Sequence, residues 1–181
     1  MSTMYQDQSN IALSWWRALQ PREFGGRMLS GDRAALARLK RASSVADVMA
    51  EPATADLFLR LGFNHHDAER EWPRAAVIAA VLAHVRKLGH KKIAHDIGAL
   101  RCGDGSMALI TPLRLKRLLA ARTPDEVLTQ FRRVTAILGH SADVRDLAMQ
   151  LLAWTDGERG DLTRTRFAFD YHGVGQFASD A

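Results

Sequence analysis

Apolar residues recur along this chain at helical spacing. Ile11, Trp15, Trp16 and Leu19 fill one stripe of a first helix that ends near Pro21. Both tryptophans read as core packing. Gly25, Gly26 and Gly31 mark a connection, after which Asp32 is placed to cap a helix that turns Leu36 and Leu39 inward and Arg33 and Lys40 outward. A shorter helix follows Pro52, with Leu57, Phe58 and Leu61 as its apolar side and Gly62 as its stop. The next is expected to start at Pro73 and to carry Ile78, Val81, Leu82 and Val85 on one face as far as Gly89. The glycine-, lysine- and histidine-rich stretch 89–106 reads as a short helix between two loops and as a candidate boundary between two sub-bundles.

The second half is punctuated more sharply. Thr111–Pro112 and Thr123–Pro124 each set a capping hydroxyl before a first-turn proline, and Asp125–Glu126 adds negative charge where a helix N-terminus favours it. Val127, Phe131, Val134 and Leu138 then share a face up to Gly139, and Val144, Leu147, Ala148, Leu151 and Leu152 define another helix ending near Gly157. In the last segment Phe167, Phe169 and Tyr171 alternate with period two, while Leu162 and Phe169 share a helical face. With no other strand in sight, helix is the expected state. The pattern thus predicts an all-α bundle of roughly eight to ten helices within a single domain spanning 1–181.

Composition supports a packed core, with 47% apolar residues in 181. The longest uncharged apolar run, Ala75–Ala83, is far short of the roughly 20 residues needed to span a bilayer, and the polar start lacks the apolar run of a signal peptide, so a cytoplasmic protein is expected. The single cysteine, Cys102, reads as an incidental thiol. Charge is segregated. Residues 17–41 hold seven Lys/Arg against Glu23 and Asp32, and residues 86–133 hold eleven against four acidic residues, although the net charge is only +5. Basic surfaces backed by an acidic remainder are the footprint of a phosphate-backbone binder, though uneven charge alone is weakly specific.

No Walker loop, nucleophile elbow, paired zinc-type cysteines or His-Glu-x-x-His motif occurs. The pairs His66–Asp67 and His95–Asp96 keep an HD-like metal phosphohydrolase open as an alternative, since imidazole and carboxylate ligands can hold a divalent ion that activates water. A two-residue motif arises readily by chance, and no regular ligand set surrounds either pair. A generic helical protein-interaction module is the other alternative. The arginines are better organised: Arg114 and Arg117 share a face beside Lys116, and Arg132–Arg133 lie on the following helix, so two consecutive helices can offer a joint basic strip. Arginine outnumbers lysine 20 to 5, which suits gripping phosphate oxygens through a fixed fork of donors. The competing reading is that these arginines are solvated or paired with Asp125 and Glu126.

Seven blocks carry a resemblance: Leu13-Ser-Trp-Trp-Arg-Ala-Leu19, Gly31-Asp-Arg-Ala-Ala-Leu-Ala-Arg-Leu-Lys-Arg-Ala42, Trp72-Pro-Arg-Ala-Ala76, Ile97-Gly-Ala-Leu100, Arg114-Leu-Lys-Arg-Leu-Leu119, Phe131-Arg-Arg-Val134 and Arg164-Thr-Arg-Phe-Ala-Phe-Asp-Tyr171. In order and spacing they resemble the CasB family, the small subunit of the type I-E CRISPR Cascade complex. The resemblance implies an all-α subunit without enzymatic activity or cofactor, present in two copies, packed against the backbone and large subunits. Its basic surface would hold the crRNA–target DNA hybrid and the displaced strand. Carried over by position, the expected nucleic-acid contacts are Arg41, Arg74, Arg114, Arg117, Arg132 and Arg133, with Lys91 and Lys92 on a loop whose alignment is looser.

Overall fold

A helix that is apolar on every side has to be enclosed, and the run Ala75–Ala83 is the centre around which this protein is built. In the computed structural model, which describes residues 3–24, 26–98, 108–157 and 159–173, every residue of that run is fully buried. It belongs to α5 (Ala68–Ala83). Against α5 pack α1 (Thr3–Leu19), α2 (Arg33–Arg41), α3 (Val45–Met49), α4 (Pro52–Arg60), α8 (Pro124–Ile137) and α9 (Val144–Trp154). Helix α1 also lies along α9, while α10 (Gly160–His172) packs on α9, on α6 (Ile93–Ile97) and on α7 (Pro112–Ala120). The described residues therefore form the expected all-helical bundle, with ten α-helices and a 3-10 turn at His65–Asp67.

The predicted caps are in place. Asp32 accepts from Ala35 N at 2.8 Å, Thr111 accepts from Arg114 N, and Thr123 closes a reciprocal capping box with Glu126. Two caps come from another helix. Asp125 of α8 accepts from Val45 N at the start of α3 (2.7 Å), and Asp146 of α9 accepts from Ile93 N at the start of α6 (2.7 Å). Each satisfies an orphan donor that the local sequence leaves open.

Two expectations need correction. Helix α5 starts at Ala68 and carries Pro73 inside it. Glu69 and Glu71 suit its first turns, and the Glu71–Arg74 pair, three residues apart, closes only when 71–74 is helical. Short strands do exist. β1 (Arg22–Phe24) pairs antiparallel with β2 (Arg27–Leu29) around Gly26, whose φ of +74° suits glycine, and β3 (Lys87–Leu88) pairs parallel with β4 (Ser141–Ala142). At two or three residues each they are too short to leave a periodic signal. The last segment is the expected helix, α10, anchored by Arg164, Phe167 and Tyr171, with Leu162 and Phe169 on its outer face. Cys102 and the latter part of the 89–106 stretch lie outside the described residues.

Candidate nucleic-acid interface

Helices α7 and α8 are adjacent, joined by a short connection that the Thr123 capping box shapes. Leu115 and Leu118 on α7 and Val127, Phe131 and Val134 on α8 are buried, which turns the opposite faces outward. Between the two helices opens a cleft of about 470 Å³ whose rim carries Arg114, Arg117 and Arg133, with Ile110, Leu118 and Val134 among its lining. Arg114 and Arg117 from one helix and Arg133 from the next thus converge on one groove, as the sequence reading expected of them.

The competing reading, in which Asp125 and Glu126 neutralise these arginines, is answered by what those carboxylates do. Glu126 accepts from Arg122 N (2.9 Å) and Thr123 N (3.0 Å), and these backbone hydrogen bonds hold its carboxyl below the usual carboxylate range. Asp125 accepts from Val45 N. Among the described residues, no ion pair involves Arg114, Arg117 or Arg133. The acidic side chains nearest in sequence are occupied by backbone amides, leaving the guanidinium groups to solvent and to whatever enters the cleft.

The remaining expected contacts are dispersed. Arg41 ends α2 and is exposed, away from the cleft. Lys91 is exposed on the approach to α6, and Lys92 faces Asp170 at 3.7 Å on the rim of a separate cleft of about 850 Å³, bordered by α1, α9 and α10. That larger cleft mixes Asp146 and Asp170 with Arg159 and Arg166, so its charge does not select an anion.

Two arginines are occupied by the fold itself. Arg74 is 4% exposed, donating to Glu71 Oε2 (2.6 Å), to Leu152 O (2.7 Å) and to Thr155 Oγ1 (3.3 Å), with its guanidinium over the Phe63 ring. It ties α5 to the end of α9 and has no free donor face for a polyanion, which removes it from the interface. Arg132 is half-buried and donates to Ala42 O (2.7 Å) and Leu39 O (2.9 Å), clasping the C-terminal carbonyls of α2. Those carbonyls have no partner within their own helix, and the negative end of the helix dipole favours a cation there. Arg132 is therefore first a structural clamp.

A group the sequence reading left unassigned surrounds that clamp. His84, at the end of α5, stacks on His140 with ring centroids 6.4 Å apart, and His140 Nδ1 meets His84 O at 2.9 Å. Burial first, and then the electrostatic influence of Arg132, Lys40, His140 and Arg86, press the His84 pKa down to about 4. Five basic side chains from separate stretches of chain are gathered here. The only sequence signal was the list of histidines, which says nothing about which of them meet.

The pairs His66–Asp67 and His95–Asp96 stand in different elements, the former in the 3-10 turn and the latter on α6, where His95 Nε2 faces Asp170 at 3.6 Å. Among the described residues, no three His, Cys, Asp or Glu side chains converge as a metal-ligating group. Among them also, no helix is long and apolar enough to cross a membrane.

The structure is thus of the class of basic helical bundles, with an arginine-rimmed surface cleft at which no ion pair forms among the described residues. The family model of CRISPR-associated protein Cse2 matches residues 35–172, which takes in the cleft, the Arg132 clamp and the His84–His140 pair. The chain belongs to the Cse2 family, the CasB small subunits of type I-E Cascade, and the family places it in that complex, which is built on crRNA. No curated protein and no solved structure matches the chain.

Proposed function

We propose that this protein is a non-catalytic scaffolding subunit that steadies the crRNA–target DNA hybrid and the displaced strand by holding backbone phosphates in the α7–α8 cleft. The observation that carries this reading is the convergence of Arg114, Arg117 and Arg133 on one groove, with no carboxylate in ion-pair reach among the described residues. Guanidinium forks match phosphate oxygens, and binding them displaces condensed counterions, so the grip is sensitive to salt and indifferent to base sequence. Guide pairing supplies the specificity in such systems while protein reads backbone and shape. Exposed Arg41 and Lys91 extend the basic surface beyond the cleft. The backbone subunits, the large subunit and a second copy of this chain are the protein partners, and the exposed Leu162 and Phe169 of α10 offer them apolar area.

The test is the triple substitution Arg114→Ala/Arg117→Ala/Arg133→Ala in an assembled complex. All three side chains are at the surface, so the Tm should stay within about 1–2 °C of the parent. The slope of log affinity for target DNA against log salt should fall by about 2–3. Unaltered target binding across the salt series would remove the cleft from the interface.

A further inference from the structure

Helix α8 carries cationic groups on two flanks, because the adjacent residues Arg132 and Arg133 point about 100° apart around it. Arg133 rims the cleft with α7, and Arg132 faces α2. We propose that Lys40, Arg86 and the stacked His84–His140 pair form a second seat for a backbone phosphate, on the flank of α8 opposite the cleft. This deepens the reading of the α7–α8 groove and rests on it, since both seats serve one polyanion that crosses α8.

The geometry begins with a fixed platform. His140 occupies the left-handed region at φ +62°, unusual for a residue with a side chain, and is held there by Thr135 O accepting from its N–H and by Arg86 N and Lys87 N donating to its carbonyl. Its ring is pinned against His84, and Arg132 is immobilised by two carbonyls of α2. Around this platform stand Lys40 from α2, half-buried, and Arg86 from the chain leaving α5, exposed. Each acts electrostatically on His84, and Lys40 and Arg86 repel one another.

What the cluster lacks points to its ligand. The four groups that act on His84 from α2, from α8, from the turn after α8 and from the chain leaving α5 are Lys40, Arg132, His140 and Arg86, all basic. None of Lys40, Arg86 or Arg132 is in an ion pair among the described residues. Two buried nitrogens here, His84 Nε2 and Arg132 Nε, have no hydrogen-bond partner. Two buried nitrogens without a partner, set beneath like charges that repel one another, are costly unless an anion completes the site. A singly charged phosphodiester fits: Lys40 and Arg86 supply the donors, and the stacked His84–His140 pair lies behind them. The anion would offset the positive charges of Lys40, Arg86 and Arg132, so His84 would accept a proton more readily once the seat is filled. Occupation of this seat is then coupled to proton uptake, which the arginine-only cleft cannot match.

Two measurements on the full chain test this, with a fluorescein-labelled single-stranded DNA and with inorganic phosphate as probes. Lys40→Ala/Arg86→Ala should lower the log–log salt slope for DNA by about 1–2. Histidine imidazole signals followed by NMR across pH should place the His84 midpoint near 4 in the free protein and carry it upward with DNA bound, a shift read on the unaltered chain. A parental slope for Lys40→Ala/Arg86→Ala, alongside a reduced slope for the cleft triple variant, would overturn the seat and leave the cleft standing. If neither set of substitutions changes the slope, the cleft reading falls and the seat with it. Imidazole signals that respond to inorganic phosphate and not to DNA would assign the site to a free anion and overturn the backbone seat.

Discussion

Arg74 and the arginines of the α7–α8 cleft are the same residue type put to opposite uses. Arg74 sits in the core with every donor direction turned toward protein: a carboxylate beside it on α5, a carbonyl and a hydroxyl of the α9 end, and an aromatic face. Arg114, Arg117 and Arg133 stand over an open groove with their nearest acidic neighbours diverted to backbone amides. Within one helix turn Arg132 and Arg133 repeat the contrast. Position in the sequence does not separate these roles; the partner groups do, and those come from distant parts of the chain.

The contrast is broken most severely at Arg74. Arg74→Ala takes from buried Glu71 its 2.6 Å partner, leaves it only the longer 3.5 Å contact of exposed Arg70, and should cost about 3–5 kcal/mol, read as a large fall in Tm or as failure to accumulate folded protein. Replacing Glu71 with Gln in the same chain should restore part of the loss; if it restores none, the damage is packing rather than a stranded charge. Next comes Arg132→Ala, expected to cost about 2–3 kcal/mol through the two carbonyls released at the end of α2, whereas Arg133→Ala should leave stability within about 0.5 kcal/mol. Urea melts of the two single variants give that comparison directly, and equal melts would erase the distinction between clamp and cleft.

The smallest effect is expected at Asp47, whose carboxyl accepts from the Ser43 hydroxyl and amide and from Ser44 N at the start of α3. Those hydrogen bonds hold its pKa near 2 in the folded protein, below the ordinary 3.8. A depressed carboxylate stabilises the fold at pH values above its unfolded pKa, and that contribution fades as pH falls through the folded value. Asp47→Asn should therefore melt below the parent at neutral pH, with the gap narrowing between about pH 4 and pH 2. A gap that is constant with pH would show that the charge is not what matters at this cap.

What could be read from sequence follows from how locally each feature is determined. The starts of α2, α7 and α8 were legible because Asp32, Thr111 and Thr123 each act on an amide two or three residues ahead. The cleft was half legible: spacing put Arg114 and Arg117 on one face, and only packing could add Arg133 and withhold Arg132. The structural engagement of Arg74 and Arg132 was not legible because their acceptors, Leu152 O and the carbonyls of Leu39 and Ala42, lie 78 to 93 residues away in the chain. Strands of two or three residues, and a histidine pair joined across 56 residues, are equally silent at the level of pattern.

Helix α5 has a mechanical consequence. With Ala75–Ala83 sealed on all sides, six other helices bear on one common mast of small and β-branched side chains that leaves little slack for any of them to slide. A load applied at α8 is passed into α5 and, through Phe131 against Trp154, directly into α9. The protein should therefore yield as a whole body, and a part that does not flex keeps the spacing of its two basic flanks constant along whatever it is laid against.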